Sequence, residues 1–204
     1  MRGRFITLEG IDGAGKSTQA QFVADRLRAS GADLVVTREP GGTRLGEALR
    51  ELILHQPMAA STETLLLFAA RAEHLAAVIE PALSAGRWVL CDRFTDATFA
   101  YQAGGRGVPA ERIEALEQWL HPDLQPDLTL LFDVAPAVAA ARVAGARTRD
   151  RFETEQRDFF TRVRDAYLER ARRCAHRFVI VNGALPADDV RRFLDDTLTT
   201  WLKR

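Results

Sequence analysis

The hydrophobic pattern of the chain alternates between short apolar runs and longer segments of helical periodicity. Five runs are short and nearly continuous in apolar character, with many β-branched and aromatic residues. Runs of this kind are typical of strands that are buried on both faces of a parallel sheet. The five predicted strands are Phe5–Leu8, Leu34–Thr37, Trp88–Cys91, Leu128–Phe132 and Phe178–Val181.

Six longer segments carry apolar residues at spacings of three and four, which predicts amphipathic or buried helices. Strands that alternate with such helices predict an α/β fold, here a three-layer sandwich in which helices flank both faces of a five-stranded parallel sheet. The predicted helices are Lys16–Ala29, Thr43–Leu54, Ser61–Leu83, Ala110–Leu120, Glu155–Cys174 and Ala187–Leu202.

Length and composition narrow the class of protein. A chain of 204 residues with 47% hydrophobic and 27% charged residues is ordinary for one globular domain, which we expect over residues 1–204. The 28 basic and 28 acidic side chains balance, so we expect no nucleic-acid partner. No apolar run approaches the roughly 18 residues of a membrane span. With two cysteines far apart, Cys91 and Cys174, these features predict a cytoplasmic protein without a membrane partner.

A glycine-rich segment between the first strand and the first helix is the strongest chemical signal in the chain. It matches the pattern G-x-x-x-x-G-K-[ST] of a P-loop, whose backbone amides and helix dipole bind phosphate groups. Lys16 is expected to neutralise the β- and γ-phosphates of ATP, and the Ser17 hydroxyl to bind Mg²⁺. The predicted ATP-binding residues are Gly10, Ile11, Asp12, Gly13, Ala14, Gly15, Lys16, Ser17 and Thr18.

Three carboxylates at strand ends are candidates for a role near the metal. Asp92 and Asp133 each follow an apolar strand, and we favour Asp92 because the adjacent Arg93 would lie where an acceptor phosphate must sit. Asp133 precedes a helix and is at least as well explained as a helix cap. Glu9 ends the first strand, where it is either close to Mg²⁺ or paired with an arginine.

Several further segments, taken together with the P-loop, resemble the bacterial thymidylate kinases. The resemblance implies a nucleoside monophosphate kinase domain of the P-loop NTPase type, with a short lid at about residues 142–154. It also implies phosphorylation of dTMP to dTDP by ATP and Mg²⁺, in dTTP biosynthesis, and a homodimer. The matching segments are Glu9–Gln19, Thr37–Thr43, Asp92–Phe94, Ala100–Gln102, Gly104–Gly107 and Asp150–Glu153.

The resemblance also implies roles for residues at the phosphate and sugar of the acceptor nucleotide. Arg38 and Arg93 would hold its 5′-phosphate, a task that suits planar guanidinium groups. Tyr101 would pack against the sugar and exclude a 2′-hydroxyl. Asp12 would reach the 3′-hydroxyl or the two arginines.

A second group of residues is implied at the acceptor base. Phe68 would stack on the thymine ring, and Arg71, one helical turn further along the same face, would donate to O4 of the base. Thr98 would contact the N3 edge, with Gln102 close by. Phe68 alone, in an apolar run, would otherwise be assigned to the core.

The lid is the expected source of a catalytic arginine, because the residue after Asp12 is Gly13 rather than the arginine of one branch of the family. Three lid arginines could close over the transferred phosphoryl group. They are Arg147, Arg149 and Arg151.

Other interpretations remain open at the level of sequence. A kinase for a different nucleoside monophosphate would use the same scaffold, and a nucleotide-binding regulator would carry out no transfer. A GTP-dependent switch is disfavoured, because Val181-Asn182-Gly183 offers no N-K-x-D motif. The leucine-rich helices at Glu47–Leu54 and Ser61–Leu83 fit either a dimer interface or complete burial in one subunit.

Overall fold

The computed structural model describes residues 2–144 and 151–203, with the backbone alone for residues 144 and 151–157. All five predicted strands are confirmed, each one residue longer at its carboxyl end. They pair in parallel in the order β2-β3-β1-β4-β5. The strands are β1 (Phe5–Glu9), β2 (Leu34–Arg38), β3 (Trp88–Asp92), β4 (Leu128–Asp133) and β5 (Phe178–Asn182).

Helices pack against the sheet, as the hydrophobic periodicity predicts. Thr43 caps α2 by accepting a hydrogen bond from the Gly46 amide at 2.9 Å, and proline directly precedes α6 and α9. The helices are α1 (Lys16–Ala29), α2 (Arg44–His55), α3 (Ala60–His74), α4 (Glu80–Ser84), α5 (Thr95–Thr98), α6 (Ala110–Leu120), α7 (Pro136–Ala144), α8 (Arg151–Arg173) and α9 (Ala187–Leu202).

Two π-helical turns depart from the expected pattern. Leu75–Ile79 joins α3 to α4, so the single helix predicted from Ser61 to Leu83 contains a widened turn. That turn precedes Pro81, which has no amide hydrogen to donate. Phe99–Gly105 continues α5 into the glycine-containing segment Gly104–Gly107. A Cβ on Gly104 would lie 2.5 Å from that of Ala166, so this glycine allows α8 to approach closely.

The topology determines where a ligand can bind. The chain crosses from one side of β1 to the other between β3 and β4, and in open parallel sheets the carboxyl ends of the strands at such a point form the binding crevice. Register places Arg38 beside Asp92, and Asp92 beside Leu8 of the central strand. Within the described ranges, no helix is both long and apolar enough to cross a membrane.

Candidate functional site

The glycine-rich segment forms a loop between β1 and α1, as expected. Lys16 is the first residue of α1, and its Nζ donates to the carbonyl oxygens of Gly10 at 2.7 Å and Ile11 at 3.1 Å. Burial, together with the nearby positive charge of Arg93, lowers the pKa of Lys16 to about 8. Both of its hydrogen-bond partners are neutral carbonyl oxygens, so an anion bound in the loop could replace them as the partner of Lys16.

A cavity of about 620 Å³ opens at the carboxyl ends of the strands, in front of this loop. Loop residues 12–18 line it, together with Arg38, Asp92 and Arg93. The cleft is large enough for a nucleotide. Its other lining residues are Gln19, Glu39, Arg50, Phe132, Arg142, Gly183, Leu185, Ala187 and Val190.

Arg93 occupies an unusual backbone conformation at the end of β3. Its φ of 71° lies in the left-handed region, which is uncommon for residues other than glycine and is concentrated at functional sites. Its Nη2 donates to Asp12 Oδ1 at 2.6 Å and to the Tyr101 hydroxyl at 3.0 Å. The guanidinium group also lies over the Tyr101 ring, 4.6 Å from the centroid. The structure thus brings the predicted phosphate, sugar and loop residues together.

Arg38 reaches the same cleft from β2. Its Nη2 donates to Glu47 Oε2 at 2.9 Å, and its side chain is 54% exposed. The guanidinium is therefore restrained by an exposed partner on α2 and remains accessible to an anion in the cavity.

Asp92 offers an unused oxygen to the cleft. Its Oδ1 is buried and has no hydrogen-bond partner in the part of the chain that the structure describes. A buried carboxylate oxygen without a partner is costly, and a cation would relieve that cost. Ser17 and Asp92 line the same cavity, so this donor set of hydroxyl and carboxylate oxygens fits Mg²⁺, which often completes its shell with water and phosphate.

The contacts of Asp133 match neither of the two roles considered from the sequence, which were a place near the metal and a helix cap. Its two carboxylate oxygens accept from Arg164 Nε and Nη2 at 2.6 and 2.8 Å. A bidentate pair with an arginine on α8 occupies the carboxylate. Asp133 therefore connects α8 to the end of β4, a contact between distant segments that could not be predicted from sequence.

Glu9 is placed behind the cleft rather than in it. It is 0% exposed, and its oxygens accept from the Phe94 amide at 2.7 Å and the Tyr167 hydroxyl at 2.8 Å. Burial, and then the nearby Asp96 carboxylate, raise the pKa of Glu9 to about 8. Because both oxygens are engaged by neutral donors, neither the predicted magnesium role nor the alternative arginine pair matches its contacts.

The residues predicted at the acceptor base also lie together. Arg71 is buried, with its guanidinium carbon 4.8 Å from the Phe68 ring centroid, and its Nη2 donates to Thr98 Oγ1 at 3.1 Å. Gln102 is buried beside this group and donates from Nε2 to Glu63 Oε1 at 2.7 Å. Arg71 connects these side chains to the cleft through its ion pair with Glu39, which lines the cavity.

Sequence reasoning missed several residues of the site. Glu39 lines the cleft and pairs with Arg71, yet the sequence offered only its place in the segment Thr37–Thr43. Arg50 lines the cleft from α2, and its Nη1 donates to the Pro40 carbonyl at 2.8 Å. Arg142 lines the cleft and donates to the Gly183 carbonyl at 2.8 Å, and the sequence indicated it only as the first residue of the expected lid.

The predicted catalytic arginines of the lid cannot be compared with the geometry. Arg147 and Arg149 lie outside the described residues, and Arg151 is described only as the first backbone position of α8.

Comparison with known proteins agrees with the arrangement of loop, cleft and sheet. The family model described as thymidylate kinase matches residues 8–194. A thymidylate kinase of Methylobacillus flagellatus is 60% identical over 97% of this chain and 98% of its own, and one of Cupriavidus taiwanensis is 59% identical over 98% and 100%. The crystal structure of thymidylate kinase from Ehrlichia chaffeensis superposes with a TM-score of 0.81 at 33% identity, covering 98% of this chain and 99% of its own.

Proposed function

Because this chain belongs to the thymidylate kinase family, we propose that its cleft transfers the γ-phosphate of ATP directly to the 5′-phosphate of dTMP. It is an ATP-dependent phosphotransferase that phosphorylates dTMP in dTTP synthesis. The observation that carries the proposed mechanism is the shared cavity, because the loop around Lys16 and the side chains of Arg38 and Arg93 all line it.

The donor end of the cleft is the glycine-rich loop. Backbone amides of residues 10–18 surround the phosphates of ATP, and Lys16 Nζ moves from its carbonyl partners to the β- and γ-phosphates. The dianionic phosphates keep Lys16 protonated, although its pKa is about 8 in the free protein. The lysine thus neutralises charge that develops during transfer.

Ser17 and Asp92 would hold Mg²⁺, because they combine a hydroxyl that lines the cavity with a buried carboxylate oxygen that has no partner among the described residues. When bound, Mg²⁺ supplies positive charge to the phosphates of ATP. Glu9 is left out of this set, since the Phe94 amide and the Tyr167 hydroxyl occupy its two oxygens.

The acceptor end is assigned to two groups of residues. Arg38 and Arg93 bind the 5′-phosphate of dTMP, and Asp12 and Tyr101 orient Arg93 through the hydrogen bonds of its Nη2. At the base, the roles of ring stacking, hydrogen bonding to O4 and contact with the N3 edge fall to Phe68, Arg71, Thr98 and Gln102.

The transfer requires no covalent intermediate with the protein. An oxygen of the dTMP phosphate attacks the γ-phosphorus while the bond to the β,γ-bridging oxygen breaks, which yields dTDP and ADP. The attacking oxygen is already anionic, so no general base is needed, and catalysis comes from alignment and charge neutralisation by Lys16 and Arg93. Arg147, Arg149 and Arg151 remain proposed donors of further positive charge.

We further propose that residues 1–204 form a single nucleoside monophosphate kinase domain, with a lid at about 142–154, and that the protein works in the cytoplasm. Cys91 and Cys174 are free thiols, which fits a reducing compartment. A homodimer is supported by leucines of neighbouring helices that lie about half exposed in a single chain. These leucines are Leu45, Leu52, Leu54 and Leu65. Sedimentation of Leu52→Asp should show more monomer than the wild type.

A steady-state assay with the common nucleoside monophosphates tests the acceptor. We expect ADP formation to depend on an acceptor and to be fastest with dTMP. Equal or faster turnover with an acceptor that lacks a 5-methyluracil base would contradict the assignment, and ADP formation without any acceptor would contradict direct transfer.

A further inference from the structure

Two of the three guanidinium nitrogens of Arg71 donate hydrogen bonds to protein side chains. Nε donates to Glu39 Oε2 at 2.7 Å, and Nη2 donates to Thr98 Oγ1 at 3.1 Å. Nη1 is buried and has no hydrogen-bond partner within the described ranges. Two bonds therefore fix the plane of the group and leave a single nitrogen for a ligand.

Glu39 is itself held in place by His74, which in turn contacts Thr37. Its other oxygen, Oε1, accepts from His74 Nδ1 at 3.0 Å, and His74 Nε2 lies 2.7 Å from Thr37 Oγ1. An ionised carboxylate can only accept, so Nδ1 of His74 carries a proton, and in a neutral imidazole Nε2 accepts from the Thr37 hydroxyl. The Glu39 carboxylate is thus fixed at both oxygens.

The geometry of the two elements makes this arrangement rigid. Arg71 and His74 are three residues apart on α3, so both side chains face the end of β2, where Glu39 follows Arg38. Arg71 and His74 are 2% and 0% exposed, and Glu39 is 5% exposed. A buried carboxylate, guanidinium and imidazole that satisfy one another resist rearrangement, because breaking any one pair leaves another group without a partner.

We infer that Glu39, supported by His74 and Thr37, is a positioning residue that sets base specificity: it orients Arg71 so that Nη1 is the donor left for the carbonyl at C4 of the acceptor base. This inference rests on the proposed function and adds to it a residue that also lines the phosphate end of the cleft. A base with an amino group at C4 cannot accept from Nη1, so the orientation selects dTMP over dCMP. The 5-methyl group plays no part in this contact, so selection of dTMP over dUMP should not depend on Glu39.

Steady-state kinetics of Glu39→Gln with dTMP, dUMP and dCMP tests the inference. Glutamine keeps the size of the side chain but offers one carbonyl oxygen where Arg71 and His74 use two. We expect kcat/KM for dTMP to fall about tenfold or more, and the ratio of dTMP to dCMP to fall by a similar factor. The ratio of dTMP to dUMP and the KM for ATP should change by less than about twofold. Glu51→Gln, an exposed glutamate on α2, is the matched control.

Thr37→Val is a second and milder variant. It removes only the hydroxyl that contacts His74, which is the contact most distant from Arg71. It should lower the dTMP to dCMP ratio in the same direction by a smaller factor. A merely structural role would raise the KM for ATP together with that for every acceptor, and this result, or an unchanged dTMP to dCMP ratio in both variants, would overturn the inference. If the wild type itself bound and phosphorylated dCMP as well as dTMP, the proposed function would fail first.

Discussion

The proposed phosphate end and the proposed base end of the acceptor site hold their arginines in different ways. Arg38 and Arg93 pair with carboxylates of Glu47 and Asp12, which are themselves 44% and 66% exposed. Arg71 pairs instead with a carboxylate buried deep between β2 and α3. Exposed ion pairs contribute roughly 0–1 kcal/mol, whereas removing one partner of a buried pair costs about 3–5 kcal/mol.

This difference suits the two tasks. At the phosphate end, weak partners keep the arginines near the cleft and give way to a dianionic phosphate at little cost. At the base end, the donor must already be in place, because a base is neutral and a hydrogen bond to one of its carbonyl oxygens offers too little energy to reorganise a charged group. We therefore expect changes at the phosphate end to affect turnover most, and changes at the base end to affect selection and stability.

The largest expected effect separates turnover from acceptor binding. Lys16→Ala should lower kcat on the order of 10³-fold or more, because the charge on the transferred group is no longer neutralised. Calorimetric binding of dTMP should change by less than about twofold, since the base end is untouched.

The chain provides a matched control for this change. Lys203 is an exposed lysine after α9, and Lys203→Ala should keep full activity. Thermal unfolding of both variants tests whether the fold is intact. Retention of more than about a tenth of the activity in Lys16→Ala would show that the loop lysine is not essential.

The parts of the fold and of the site that lie within one local segment could be predicted from the sequence. The loop from Gly10 to Ser17 is a local motif between a strand and a helix, so its spacing alone indicates phosphate binding. The strands were predictable too, because parallel strands buried on both faces are continuously apolar. Resemblance to a family supplied the grouping of Arg71 with Thr98, which the structure brings within 3.1 Å.

Contacts between distant segments could not be predicted. Glu39 and His74 are 35 residues apart, and Glu9 and Tyr167 are 158 apart. Only strand order and helix packing bring such pairs together, and a lone buried histidine or glutamate gives no signal of its partner. Glu9, considered from the sequence for a place near the metal, has its oxygens occupied by the Phe94 amide and the Tyr167 hydroxyl, contacts that its position at a strand end did not indicate.

Two glycine variants test how tightly the residues around His74 are packed at the base end. Gly42 and Gly31 both have a positive φ, of 79° and 90°, so alanine is strained at either position. At Gly31 an added Cβ meets nothing within 4 Å, whereas at Gly42 it would lie 2.5 Å from His74 Nε2 and 2.6 Å from Thr37 Oγ1. Gly31→Ala should lower the free energy of unfolding by about 1 kcal/mol, and Gly42→Ala by about 2–4 kcal/mol.

Chemical denaturation measures this difference directly. Only Gly42→Ala should also raise the KM for dTMP, because it displaces the imidazole that supports Glu39. Equal losses of stability in the two variants, with equal KM values for dTMP, would mean that the space around His74 is not tightly filled.

The last expected effect is a pH dependence of stability, and it concerns the buried carboxyl group of Glu9. Glu39 forms an ion pair with an arginine. Among the described residues, Glu9 accepts instead from the neutral Phe94 amide and Tyr167 hydroxyl. Its pKa is raised from 4.5 to about 8, mainly by burial. In the folded protein Glu9 therefore keeps a proton between about pH 4.5 and pH 8 that the unfolded chain releases. This contribution to stability is fully present below pH 4.5 and is lost as the pH rises toward 8, by at most about 1.4 kcal/mol per pH unit.

Glu9→Gln tests this sign with little change in shape. Glutamine can still accept from the Phe94 amide and can donate to the Tyr167 oxygen, so the segment that holds Arg93 in its left-handed conformation should persist. Because glutamine does not titrate, the free energy of unfolding of the variant should fall less steeply than that of the wild type between pH 5 and pH 8. Parallel curves from urea denaturation across that range would mean that Glu9 is already ionised, and the phosphate end would then rest, like the base end, on a buried negative charge.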